Sequence, residues 1–200
     1  MNRVFWVVLS TVITGCAATS WTSSYTKDEF TDETSCKVLY GNTFGREFVK
    51  AQGGIHFYPF IERRQGQVIF GVHNDYGVPT GDVQVRVDNN EAVTISYTET
   101  PVFYSASSNA VDLSYLKSVE GVDQEAMQTT LDESMKNIGK MSSPFTATSG
   151  DKAKKIIEAM KSGSIMKMRV IGFGTNSSAT NVGEYTLNQD LLAALAECGL

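Results

Sequence analysis

Val83, Val85 and Val87 alternate with Gln84, Arg86 and Asp88, and after Asp88-Asn89-Asn90-Glu91 the apolar positions resume at Val93, Ile95 and Tyr97. A period of two puts one face of a strand on a core and the other in water, and a polar turn rich in Asn and Asp between two such runs reverses the chain. The segment predicts a β-hairpin with one wet face, which commits the fold around it to antiparallel pairing. Other strand-like runs precede it. Cys36, Val38 and Tyr40 alternate with Lys37 and Leu39 ahead of Gly41-Asn42, so a hairpin turning there is expected to begin the fold. Ile55 to Ile61 and Val68 to Val72 are β-branched and aromatic runs on either side of the charged loop Glu62-Arg63-Arg64-Gln65-Gly66, and they read as paired strands.

The second half changes period. Val122, Ala126, Met127, Leu131, Met135 and Ile138 recur at helical spacing, with Asp123, Gln124, Glu125, Gln128, Asp132, Glu133 and Lys136 on the wet side, which predicts a helix over 122–138. Ser149-Gly150-Asp151 offers capping chemistry for a second helix carrying Ala153, Ile156, Ile157 and Met160 to a stop at Gly163. Ile165 to Ile171 reads as a strand, Gly172 to Gly183 as a loop and Glu184 to Leu187 as a short strand. Asn188 is placed to cap a final helix that presents Leu191, Leu192 and Leu195 to the core. Residues 98–122 carry the weakest pattern and read as an insertion or a mobile loop. The expected fold class is α+β: an antiparallel β-rich sheet or sandwich with two or three packed helices, the last at the C-terminus. No composition shift or internal repeat divides residues 21–200, which are expected to form a single β-rich globular domain.

The chain has 200 residues, of which 42% are hydrophobic and 20% charged, enough to bury a core without disulfide scaffolding. Its 17 basic and 22 acidic residues give a net charge of -5, and no cluster of Lys or Arg supplies the footprint that a phosphate backbone requires. Nucleic acid is therefore not an expected partner.

The amino terminus carries an address. Arg3 is the only charge in residues 1–15, Val4 to Ile13 is a mostly apolar run, and Thr14 and Gly15 follow it, as in an export signal. The run is far shorter than the roughly 20 residues that cross a bilayer as a helix. Ile13-Thr14-Gly15-Cys16 resembles the bacterial lipobox, in which an aliphatic residue and two small ones precede a cysteine that is lipidated before the signal is cut. The alternative is a plain secretory signal followed by a chance cysteine. The resemblance implies a signal peptide over 1–15, a lipidated tether over 16–20 beginning at Cys16, and a membrane partner reached through the lipid. Cleavage removes Arg3 with the first fifteen residues, leaving 185 residues at a net charge of -6. Ala17 follows the cysteine where Asp would favour inner-membrane retention, which implies the outer membrane of a Gram-negative envelope.

With Cys16 acylated, Cys36 and Cys198 remain as an even pair in an oxidising compartment, where they are expected to bond; two buried reduced thiols are the alternative. Cys198 continues the face of Leu191 and Leu195, and Cys36 shares a strand face with Val38. His56 and His73 are the only histidines and lack metal-ligand spacing, so no metal or other cofactor is expected. His73-Asn74-Asp75-Tyr76 offers an acid and a base but reads as a surface turn after a strand. Gly172-Phe173-Gly174 begins a dinucleotide-like pattern whose continuation is a loop and not a helix. Arg86 and Asp88 lie on one strand face, where they read as a structural or solvated ion pair. Phe57, Tyr58, Phe60, Phe70 and Tyr76 read mostly as core, with any outward ones forming a protein-binding patch.

Trp21-x-x-Ser24, Asp28 to Asp32, Val83 to Asp88, Ile156-Ile157-x-x-Met160-x-x-Gly163, Tyr185-Thr186-Leu187 and Ala194-Leu195-x-x-Cys198 together resemble small periplasmic proteins associated with type VI secretion, of the VasI or TagO kind, and more distantly the invasion-associated locus B proteins. The helical stretch near 122–139 departs from that pattern. The resemblance implies a β-rich exported domain with a terminal helix and carries over no catalytic residues. The expected function is a non-enzymatic, outer-membrane-anchored lipoprotein that binds another envelope protein as an accessory in secretion or host interaction. The alternative is a small envelope hydrolase acting on a glycan or small molecule through loop carboxylates.

Overall fold

The computed structural model describes residues 20–40, 57–74, 77–105, 123–172 and 182–200. Among them, two antiparallel sheets form. The first contains β1 (Trp21–Lys27), β2 (Thr34–Tyr40), β3 (Phe57–Arg64), β4 (Gln67–Asn74) and β7 (Phe145–Ser149), in the spatial order β1-β2-β3-β4-β7. The second contains β5 (Asp82–Val87), β6 (Val93–Ile95), β8 (Ile165–Gly172) and β9 (Val182–Thr186), in the order β6-β5-β8-β9. Three helices accompany them: α1 (Gln124–Met141), α2 (Gly150–Ser162) and α3 (Gln189–Glu197), the last at the C-terminus. The architecture is α+β.

The hairpin of β5 and β6 forms with Val83 opposite Ile95 and Val85 opposite Val93. It ends two residues sooner than the alternation suggests. The Asp82 carboxylate accepts from the Ser96 hydroxyl at 3.1 Å and the Tyr97 N–H at 2.9 Å, which draws the chain out of the ladder into a 3-10 turn, Tyr97–Glu99. Arg86 and Asp88 do not pair. Asp88 turns the chain at φ 48° and accepts from the N–H groups of Ser164 and Ile165, while Arg86 donates to the Asn89 carbonyl at 3.4 Å.

The strands β3 and β4 pair as expected, but the intervening loop is shorter. Glu62, Arg63 and Arg64 belong to β3, and the reversal uses only Gln65 and Gly66, at φ 49° and 77°. Two successive positive φ values match the right-handed twist of the flanking strands, so pairing continues up to Arg64 opposite Gln67. The first hairpin joins β1 to β2 through residues 28–33, where the Asp28 carboxylate accepts from the Phe30 and Thr31 N–H groups at 2.8 and 2.9 Å. The expected turn at Gly41-Asn42 lies outside the described residues.

One core joins both sheets to two helices. Val38, Ile61, Phe70 and Val72 from the first sheet meet Val83, Val85, Met166, Met168 and Tyr185 from the second. Ala153, Ile156, Ile157 and Met160 of α2 and Leu191, Ala194 and Leu195 of α3 complete it, so the helical spacing of both segments marks their buried sides. Leu192 is a correction: it sits one residue off that stripe and is 36% exposed. The Asn188 side chain caps α3 by accepting from the Leu191 N–H. Ser149 does not cap α2 with its side chain, because its hydroxyl accepts from Gln67 across the sheet at 3.1 Å. Cys36 of β2 and Cys198, at the end of α3, form a disulfide with Cα atoms 5.3 Å apart.

Helix α1 behaves differently. Asp123 caps it, and it starts two residues later and ends three residues later than the expected 122–138, but Leu131 and Met135 are only half-buried and Met127, Ile138 and Met141 are exposed. Its apolar spacing does not mark a side packed into the main core.

Candidate functional site

The sheet of β1 to β4 and β7 has a second apolar face, away from the shared core. Phe60 and Glu62 of β3 point to this side, with Lys37 and Leu39 of β2, Ile69 and His73 of β4, and Phe145 and Ala147 of β7 as cross-strand neighbours. A sheet face left to water would be polar; Phe60, Ile69 and Ala147 here are fully buried. Residues 96–105 cover it as a strap. Ser96 and Glu99 form a capping box around the first 3-10 turn, and Pro101 leads into a second, Val102–Tyr104.

Named bonds fasten the strap. The Thr100 hydroxyl accepts from the Ala147 N–H at 3.2 Å, and the Ser143 hydroxyl donates to the Tyr104 carbonyl at 2.6 Å. Glu99 receives Lys152 of α2 at 2.7 Å and Thr148 of β7 at 2.9 Å. Burial raises the Glu99 pKa, but Lys152, the Ser96 N–H and Thr148 together hold the carboxyl below its ordinary range. Lys140 of α1 donates to the Thr98 carbonyl at 2.6 Å, which ties α1 to the strap.

Beneath lies a cluster of aromatic rings threaded by charge. Tyr104 stacks on Phe145 with centroids 5.0 Å apart and meets Phe60 edge-on at 5.3 Å. The Lys37 ammonium sits 5.4 Å from the Phe60 centroid and 5.7 Å from that of Tyr104, and lies 3.5 Å from a Glu62 carboxylate oxygen. Glu62 is 2% exposed and relies on this Lys37 contact, while among the described residues the buried hydroxyls of Tyr104 and Ser105 have no hydrogen-bond partner. Each unmet bond of this kind costs about 1–3 kcal/mol, so the strap is held less firmly than its ring contacts alone suggest. His73 packs 5.4 Å from Phe145 and 5.9 Å from Tyr58. Its pKa is lowered to about 4, chiefly by burial and further by Lys37, against a hydrogen bond that the imidazole donates to the Asn74 backbone, which raises it. The imidazole is accordingly neutral at ordinary pH.

The outer surface of this layer is apolar. Val102 is 59% exposed and Phe103 43%, with the Arg64 guanidinium 4.7 Å over the Phe103 ring. Helix α1 lies against both 3-10 turns and leaves Met127, Ile138 and Met141 exposed.

The expected surface turn at His73-Asn74 is instead part of β4. Asn74 is 4% exposed and donates to the Val78 carbonyl at 2.7 Å and the Thr80 hydroxyl at 3.1 Å, because a strand paired on both sides leaves its last residue inside. Asp75 and Tyr76 lie outside the described residues, as do His56, Cys16 and the glycine pattern beyond Gly172. Phe60 and Phe70 are core residues as expected, while Phe57 and Tyr58 are half-buried. The turn carboxylates hold structure: Asp28, Asp82 and Asp88 accept from backbone N–H groups, and Glu33 pairs with Arg64 at 2.9 Å. Among the described residues, no three His, Cys, Asp or Glu side chains gather as a metal would need, and no helix is long and apolar enough to cross a membrane.

Lys37, Glu62, Tyr104 and Phe145 were not singled out by the sequence. A usable signal existed in β3, whose apolar run is continuous where that of β5 alternates; a continuous run fits a strand covered on both faces. Comparison with protein-family models, curated proteins and solved structures found no match.

Proposed function

We propose that this protein is a lipoprotein of the bacterial outer membrane, anchored through Cys16, whose globular part binds another envelope protein as an accessory in secretion or host interaction. The observation that carries the binding role is the surface made by the strap and α1. Phe103, Val102, Ile138 and Met141 are all more than 40% exposed on elements that touch each other, and the aromatic layer below fixes the strap that presents them. Large apolar side chains grouped on one surface characterise protein contact sites, with aromatic and Met residues favoured at their centres. The lipobox resemblance and the disulfide support an envelope setting. The landmarks similar to type VI secretion-associated proteins suggest the system served.

Photo-crosslinking in intact cells tests this. A photoreactive residue at Phe103 or Ile138 is expected to give one shared adduct that the same residue at Lys154, on exposed α2 surface, does not give. Phe103→Ser should abolish the Ile138 adduct without changing the melting temperature. Equal adducts from all three positions, or none, would refute the assignment.

A further inference from the structure

The outer face of the other sheet is cationic in a chain whose net charge is -5. Arg86 of β5 stands directly opposite Lys167 of β8, and Arg169 follows two residues along the same face. Like charges placed directly across a strand pair destabilise it. Arg86, Lys167 and Arg169 are all exposed, and among the described residues Glu184 of β9 is the carboxylate that pairs with one of them, 2.9 Å from Lys167.

The cations are also arranged. Gln84, opposite Arg169 in the ladder, accepts from its Nε at 2.7 Å and from its Nη2, and is itself fixed by donating to the Thr94 hydroxyl at 3.0 Å. This chain of bonds orients one edge of the guanidinium and leaves its other donors for an outside acceptor. Between Gln84, Arg86, Ala92, Lys167 and Arg169 runs an open groove of about 310 Å³. Such a cross-strand group of cations, two of them arginines, suits phosphate oxygens.

The position of the amino terminus says which phosphates. Trp21 Nε1 donates to the Thr186 carbonyl at 2.8 Å, so β1 starts beside the end of β9. Thr186 pairs with Ile165, and the next outward row of the same ladder is Lys167 with Glu184. From Cys16 to Trp21 the chain can extend roughly 17 Å at most.

We propose that the outer face of this sheet rests on the bilayer and that Arg86, Lys167 and Arg169 take the phosphates of anionic phospholipid headgroups. The choice of a lipid surface over an acidic protein rests on the anchor reading, because only a tether at Cys16 holds this face near a bilayer. Gln84 is a positioning residue for Arg169.

The Cys16→Ser chain, which carries no lipid, is incubated with phosphatidylcholine vesicles with and without phosphatidylglycerol, and bound protein is measured by sedimentation. Binding is expected only to the anionic vesicles and to fall with added salt. Each cation near an anionic surface contributes about fivefold, so the triple variant Arg86→Gln, Lys167→Gln, Arg169→Gln should bind roughly a hundredfold more weakly. Its melting temperature should not fall, since the opposed pair is relieved. Glu184→Gln should tighten binding severalfold, which keeps the test decisive should the triple variant fail to fold.

Equal binding to both vesicle types, or binding unchanged in the folded triple variant and in Glu184→Gln, overturns the proposal. Complete competition by inorganic phosphate would mark a free-anion site, and retention on polyglutamate without vesicle binding would assign the face to an acidic protein; either overturns the lipid assignment. The anchor is read separately, from the mass of the amino-terminal cysteine in the wild-type protein. An unmodified cysteine beside intact vesicle binding refutes the anchor alone, and a lipidated one beside absent vesicle binding refutes this proposal alone.

Discussion

Replacing Cys36 and Cys198 together by alanine removes a crosslink between residues 162 positions apart. In the chain-entropy account, opening a loop of that length favours the unfolded chain by about 5 kcal/mol at 25 °C, whereas measured effects lie more often at about 2–4 kcal/mol. The native side changes less. Trp21, Val38, Leu191 and Leu195 remain buried in one core, and α3 stays packed on β1 and β2. The expected loss is therefore about 3 kcal/mol, a large part of the roughly 5–15 kcal/mol that separates folded from unfolded states in a typical domain. Urea unfolding reads it directly: with a slope of about 2 kcal/mol per molar, the midpoint should fall by about 1.5 M. The slope should also rise, since a denatured chain without the crosslink exposes more surface. A midpoint equal to that of the wild type would refute the reasoning. A lowered midpoint with an unchanged slope would place the effect in native packing around the sulfurs and not in the unfolded chain.

His73 gives a pH dependence. Its native pKa of about 4 lies below the unfolded 6.5, so the unfolded state binds the extra proton in that window; the contribution is full above pH 6.5 and is lost as pH falls towards 4. The loss should approach about 3 kcal/mol, and His73→Gln should flatten that part of a stability–pH profile. Gly71→Ala would put a Cβ 2.6 Å from the Phe60 ring and 2.8 Å from the Ala147 Cβ, costing about 1–3 kcal/mol in chemical denaturation. Lys37→Met leaves Glu62 buried beside apolar groups, so it should destabilise by about 2–4 kcal/mol and more than the double variant Lys37→Met, Glu62→Met, an order that a double-mutant cycle checks. Cys16→Ser is expected to move the protein from the membrane to the soluble fraction when membranes are washed in high salt, which releases headgroup contacts; retention in that detergent-free pellet with the signal removed would refute the anchor.

Elements whose pattern reflects one buried side were legible. The Val83–Val87 alternation, the spacing of Ala153, Ile156, Ile157 and Met160, and the Leu191, Leu195 and Cys198 stripe each match the side that enters the shared core. The disulfide followed from the same logic, since two cysteines on core-facing stripes can meet. Turn lengths were less legible, because they depend on where backbone hydrogen bonds stop. Gln65 at φ 49° lets the β3 ladder run to Arg64, and the Asp82 carboxylate ends β6 early by taking the Tyr97 N–H; neither can be read from polarity.

The candidate site was hidden for a related reason. Helix α1 carries the same periodic apolar spacing as α2, yet α2 buries its stripe while α1 leaves Met127, Ile138 and Met141 in solvent. Periodicity reports that a helix has an apolar side, and only the fold reports what that side meets. The converse holds for Lys37, which reads as the solvent side of a strand, and Glu62, which reads as part of a charged loop: Glu62 is buried in β3, 3.5 Å from a Lys37 ammonium that lies against Tyr104 of the strap. What the strap covers is thus an interior built late in the chain order, where residues 96–105 cross a sheet face that residues 145–149 complete as the strand beside β4. The two sheets share one core, so this covered face and the Arg86–Lys167 face point away from each other. If the cationic face lies on the bilayer, the exposed Phe103 and Ile138 are directed away from it, which is where a partner protein held in the same envelope could reach them.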